Sequence, residues 1–183
     1  GFFAIIALFL SRFLFLSNSK DFFDSSVYLW RLKIPEMIKV LTSGHPPFHP
    51  MYVGLSSLFY KFGVTAYEGV TAGIIPSALF GSLGVVFMYL LAKNLFGRRI
   101  AYLSATIFAL LPFVYSGHIG ILVDPTMHGF YFASLYVFAL SCKERGAKGL
   151  YLAALSGILL GGAALTHTSI AFWVSAYVGI WLL

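Results

Sequence analysis

Long apolar runs separated by short polar breaks organise this chain, and the lengths of those runs set its architecture. A helix that crosses the hydrocarbon core of a bilayer needs about 20 apolar residues, with a range of roughly 17–25. Gly1–Leu16, Val70–Leu91, Ile100–Ser116, Thr126–Leu140, Leu150–Thr166 and Ser169–Leu183 follow that template. Together they predict an all-α fold, a polytopic transmembrane helix bundle of about six spans with the last incomplete. Two spans carry small residues at close-packing spacing. Val70–Leu91 contains Pro76 and the ladder Gly73, Ser77, Gly81, which would let a neighbouring helix approach closely. Leu150–Thr166 holds a GxxxG pair at Gly157 and Gly161.

One apolar run, Met51–Phe62, is too short to span and is bounded by His49-Pro50 and Lys61. Treated as an interfacial helix, it leaves Lys93, Arg98 and Arg99 on the same side of the membrane as Lys143, Arg145 and Lys148. The intervening loop, Gly117–Asp124, has no Lys or Arg and falls outside. Residues 17–68 then form one long extracytoplasmic loop. Within it Asp24–Leu41 has an amphipathic helical rhythm bent at Pro35, with Leu32, Met37, Val40 and Leu41 apolar and Lys33, Glu36 and Lys39 able to face water. The loop reads as short juxtamembrane helices resting on the bilayer.

Composition agrees with this pattern. Of 183 residues, 60% are hydrophobic and only 10% charged, too few charges to coat a water-soluble globule of this size. A soluble enzyme, a disordered chain and a disulfide-stapled domain are excluded, and the one cysteine, Cys142, has no partner within the chain. The net charge of +6 comes from basic residues scattered between apolar runs, which gives no nucleic-acid footprint. The chain opens with Gly1 inside an apolar run and stops inside another, so it is expected to be the N-terminal part of a longer protein. The expected setting is the cell membrane, crossed several times.

Several polar residues could do chemistry. Asp24, Tyr28 and Arg31 share one face of a helix, so a carboxylate able to act as a general base would stand near an aromatic hydroxyl and an anion-binding guanidinium. Asp24 before a helical stretch is equally an N-cap, and Lys20 offers it a surface ion pair. In Gly44-His45-Pro46-Pro47-Phe48-His49-Pro50 the prolines stiffen and extend the backbone, presenting His45 and His49 to a polar headgroup. His45 and His49 have the spacing of helical metal ligands, but the prolines oppose a regular helix and no third ligand is near. No cofactor is called for, although a divalent metal stays open. Asp124 lies at the outer mouth of a span, followed by Pro125 and, one turn on, His128. It can cap that helix or line a polar cavity shared with His118. His167, between Thr166 and Thr168, could bind a ligand or simply join two helices. A transporter, a channel or a non-catalytic scaffold would also fit buried acids and broken helices. Transporters, however, place such groups at the bilayer midplane, whereas here they map to the outer interface.

The order of these features resembles the GT-C superfamily of membrane glycosyltransferases, which includes protein O-mannosyltransferases and the lipid A aminoarabinose transferase type. The resemblance runs from Asp24 and Tyr28 through Gly44-His45-Pro46-Pro47 and the short helix ending Phe59-Tyr60-Lys61-Phe62-Gly63. It continues over Ile75–Gly81 and Tyr89–Arg99, then Ala109-Leu110-Leu111-Pro112 to Asp124, and Gly157–Gly161 to Leu165-Thr166-His167. What it implies is a sugar carried on a polyprenyl phosphate and moved to an acceptor hydroxyl, of unspecified identity, at the extracytoplasmic face. Asp24 would deprotonate the acceptor for an inverting displacement, and Asp124 would help shape the site. Tyr28, Arg31, His45, His49 and His118 would bind substrate. Many members have Asp-Glu at the first acid, where this chain has Asp24-Ser25, so Asp21 stays a rival for the base. Many also have Lys at the position of His167.

Overall fold

The structure, a computed structural model, describes Ala7, Leu10 and residues 49–64, 70–167, 170 and 175–182. Asp21, Asp24, Tyr28, Arg31 and His45 lie outside the described residues, as do most of the Gly1–Leu16 run and of the long loop. The described part is helical, with no strand. Its helices are α1 (Pro50–Lys61), α2 (Val70–Phe96), α3 (Arg98–Leu110), α4 (Pro112–Ile119), α5 (Asp124–Ser141), α6 (Gly146–Thr166) and α7 (Ser175–Leu182).

The short apolar run forms a helix where expected: α1 begins at Pro50, whose fixed φ suits the first helical turn, and ends beside the left-handed Gly63. Its buried face, Tyr52, Val53, Ser56 and Ser57, packs on the start of α2 and the end of α6. α2 and α6 are each long and apolar enough to cross a membrane. The predicted Ile100–Ser116 span is divided at Leu111-Pro112 into α3 and α4, because Pro112 has no N–H to continue the ladder and restricts Leu111 to an extended conformation. α5 is less apolar than α2 because its first turns hold Asp124, Thr126 and His128.

α2 is the central element, packed along α5 on one side and α3 on another, while α6 packs on the far side of α5. α3 is arranged oppositely to a helix in water. Ala101, Ala105 and Ala109 are fully buried against α2, while Ile100, Leu103, Ile107 and Leu110 point outward and are about half exposed. α5 and α6 are clasped by reciprocal bonds: Ser134 Oγ donates to the Ser156 carbonyl at 2.6 Å and Ser156 Oγ to the Ser134 carbonyl at 3.0 Å. Tyr177 on α7 joins that pair through Ser134 Oγ.

The two ends of the bundle differ in charge. At one end Lys143 Nζ donates to the Asn94 carbonyl at 3.1 Å and to its side-chain oxygen at 2.6 Å, tying the α5–α6 turn to the last turn of α2. A cation there also complements the helix C-terminus. Lys93, Arg98, Arg99, Arg145 and Lys148 belong to the same two turns, so the two basic clusters do share an end. The described histidines gather at the other end, with Asp124.

Candidate functional site

The site is built on one face of α2. Gly73, Ser77 and Gly81 recur every four residues and so line up along the helix. The sequence suggested that they admit a neighbouring helix; what they chiefly receive is the end of α4 and the turn leading to α5. Ile121 lies on Gly73, where an added Cβ would come within 3.2 Å of its side chain. Ser77 Oγ donates to the Leu122 carbonyl at 2.7 Å and accepts from the Leu122 N–H at 3.3 Å, satisfying both polar groups of that residue. The His118 ring covers Gly81 so closely that a Cβ would sit 2.6 Å from it. Three small residues thus fix the turn that carries His118 and Asp124. Below them, Gly84 of α2 meets the backbone of His128 and Gly129, which aligns the first turns of α5.

Val114, Gly117, His118, Leu122, Asp124, Pro125 and His128 line a small, largely apolar cleft at this end, with room for about one water molecule. His118 is completely buried and meets Phe108 edge-on, with ring centroids 6.1 Å apart. His128 meets the same Phe108 edge-on at 5.5 Å and stacks on Phe132 at 6.2 Å. Its Nδ1 is buried and has no hydrogen-bond partner among the described residues, and the same holds for the hydroxyl of Thr126. Asp124, one turn before His128, is near enough to act on it electrostatically, as is His167. Asp124 makes no ion pair among the described residues and is one of the residues that line the cleft.

His49 occupies a neighbouring position. Its Nδ1 lies 2.7 Å from the Thr166 carbonyl, which can only accept, so Nδ1 carries the proton. The bond satisfies one of the carbonyls left open at the C-terminus of α6 and anchors the start of α1 there. The His49 ring stacks on His167 with centroids 5.0 Å apart. Close by, the Tyr52 hydroxyl donates to the Gly73 carbonyl at 2.9 Å, next to the carbonyl of Ala72 that Pro76 cannot bond. Burial pushes the Tyr52 phenol well above its ordinary value, so it remains a neutral donor.

Of the residues singled out in the sequence, Asp124 and His118 come together in the cleft, while His49 is buried against Thr166 and His167. Asp24, Tyr28, Arg31 and His45 are outside the described residues. His128 was noted only as lying one turn from Asp124, and that spacing was the signal for its place in the cleft. The pairing of His49 with His167 spans most of the chain and has no local signal. Among the described residues no three His, Cys, Asp or Glu side chains form a metal-binding group.

Residues 45–183 match the family model described as dolichyl-phosphate-mannose-protein mannosyltransferase. Neither the curated proteins nor the solved structures give a match.

Proposed function

The chain belongs to the dolichyl-phosphate-mannose-protein mannosyltransferase family, whose members are membrane glycosyltransferases with a lipid-linked sugar donor, and from that premise we propose that it moves a sugar from a polyprenyl phosphate to an acceptor hydroxyl at the extracytoplasmic face. The observation that carries this reading is the meeting of Asp124 and His118 in one cleft at the end of the bundle remote from the basic turns. α5, 18 residues long, separates those ends by about 27 Å, close to the thickness of a hydrocarbon core. The positive-inside rule assigns the basic end to the cytoplasm and the cleft to the opposite leaflet. The outward Ile and Leu of α3 and the exposed apolar residues of α6 support a bundle of about six spans surrounded by lipid. Residues 17–68 would form the external loop.

In this mechanism Asp24 takes the proton of the acceptor hydroxyl as its oxygen attacks the anomeric carbon. The bond from that carbon to the phosphate oxygen breaks with inversion, and polyprenyl phosphate leaves. Asp124 and His118 shape the cleft, and Tyr28, Arg31 and His45 complete substrate binding from the external loop, while His49, buried against Thr166 and His167, holds the start of α1 in place. General-base assistance of this kind contributes roughly 10²–10⁴-fold. Asp24→Asn should therefore lower transfer from labelled mannosyl phosphoryl polyprenol in membranes by about a thousandfold, with Asp21→Asn close to wild type. Full activity in Asp24→Asn, with loss in Asp21→Asn, would move the base to Asp21; full activity in both would remove a carboxylate base from this loop.

A further inference from the structure

The cations of the two basic turns are not equivalent. In the α5–α6 turn Lys143 is held by Asn94, and Lys148 pairs with Glu144 at 2.6 Å. In the α2–α3 turn Lys93, Arg98 and Arg99 are exposed and have no carboxylate partner among the described residues. We propose that the α2–α3 turn binds the phosphate of one anionic phospholipid, whose acyl chains lie along the outward face of α3. α3 begins with Arg98-Arg99 and has neither an acid in its first turn nor a side-chain cap. A helix N-terminus carries partial positive charge and favours acids, so two arginines there leave positive charge concentrated at one point. The end of α2 beside it offers little relief. Its Lys93 carbonyl is bonded by the Gly97 N–H at 3.2 Å, and its Asn94 carbonyl already receives Lys143 Nζ. An anion relieves that charge, and arginine suits the planar, paired bonds that phosphate accepts.

Arg98 is already placed for this. Its Nε donates to the Tyr102 hydroxyl at 3.4 Å and its guanidinium lies 5.6 Å from the centre of the Tyr102 ring. Tyr102 in turn packs on Tyr89 of α2, with ring centroids 5.0 Å apart. A side chain held in this way loses less freedom when it binds, and its terminal nitrogens stay open to a ligand. Lys93 is near enough to act electrostatically on the same hydroxyl. What selects a lipid is the surface that follows. Arg99, Leu103 and Ile107 recur every four residues and share one face of α3, where Leu103 and Ile107 are more than half exposed. The Arg99 side chain leans toward the helix start, so the charge stands at the head of an apolar stripe. A soluble anion would use the arginines and leave the stripe bare, whereas a phospholipid uses both. The inference rests on α3 facing the bilayer and not on the transfer reaction.

The test measures binding of dioleoyl phosphatidylglycerol and dioleoyl phosphatidylcholine to the purified full chain in detergent, by native mass spectrometry. The wild type should prefer the anionic lipid, and an absence of preference overturns the proposal. The double variant Arg98→Gln/Arg99→Gln should weaken phosphatidylglycerol about tenfold and leave phosphatidylcholine unchanged. Arg145→Gln/Lys148→Gln removes the same charge from the neighbouring turn and should weaken phosphatidylglycerol by less than about twofold. All four side chains are exposed, so these changes spare the fold. Equal losses in the two double variants would assign the preference to diffuse charge and overturn a site at the α2–α3 turn. In a second arm inorganic phosphate competes with the bound phosphatidylglycerol. It should be at least about a hundredfold weaker than the lipid, because it cannot cover the stripe on α3. Displacement at comparable concentrations would assign a soluble anion and overturn the lipid.

Discussion

α2 and α6 both carry small residues at interhelical spacing, yet the structure uses the two sets in opposite ways. On α2 and its partner α5, Gly73, Ser77, Gly81, Gly84 and Gly129 are all closely covered. On α6, Gly157 and Gly161 have nothing within 4 Å of an added Cβ, and the face they share with Ile158 and Leu165 is exposed. Gly162, a residue off that face, is pressed by Phe130 of α5, and Gly149 at the start of the helix by the Glu144 carbonyl. A small-residue repeat makes close approach possible without stating what approaches. On α2 the approaching groups are the His118 ring and the α4–α5 turn, so the repeat there bears on the candidate site as well as on the fold.

Four substitutions grade this contrast. Gly129→Ala should be the most damaging, because its Cβ would collide with the Phe80 carbonyl oxygen, part of a rigid helix backbone. We expect a loss of about 3 kcal/mol in denaturant unfolding of the protein in detergent. A loss below about 1 kcal/mol would mean that α2 and α5 separate easily. Gly81→Ala comes next. Its Cβ would lie 2.6 Å from the His118 ring, and a side chain can move where backbone cannot. Stability should fall by about 1–2 kcal/mol. Transfer activity, measured per folded protein, should drop by up to about 100-fold as His118 and the turn behind it are displaced. Unchanged activity would separate the α2 ladder from the site. Gly157→Ala and Gly161→Ala should be smallest, within about 0.5 kcal/mol of wild type. A larger loss would show that another helix covers that face in the membrane.

The candidate site was partly legible before any coordinates. Asp124 and His118 lie six residues apart in a loop without basic residues, and sequence proximity alone suggested that they share a cavity. His128 follows Asp124 by one helical turn, so its place in the cleft is a local consequence of α5. The role of Ser77 was not legible as such. It was read as a small residue for packing, whereas its hydroxyl binds both backbone groups of Leu122, a contact that depends on how α2 meets the turn. His49 shows the same limit. Its prolines indicated a stiff presenting turn, and the ring is instead buried against Thr166 and His167, which a linear reading cannot bring together.

By itself the sequence determined the helical class, the apolar character of the bundle and the shared end of the two basic clusters. These follow from run length, periodicity and the parity of crossings, each a property of nearby residues or of their order. The tertiary structure decided which small face is filled and which is bare, where the Pro112 break divides a predicted span, and which histidines meet the cleft. Those outcomes depend on the shapes of surfaces far apart in the chain, and a glycine in sequence looks the same whether a ring, a backbone or open space lies opposite it.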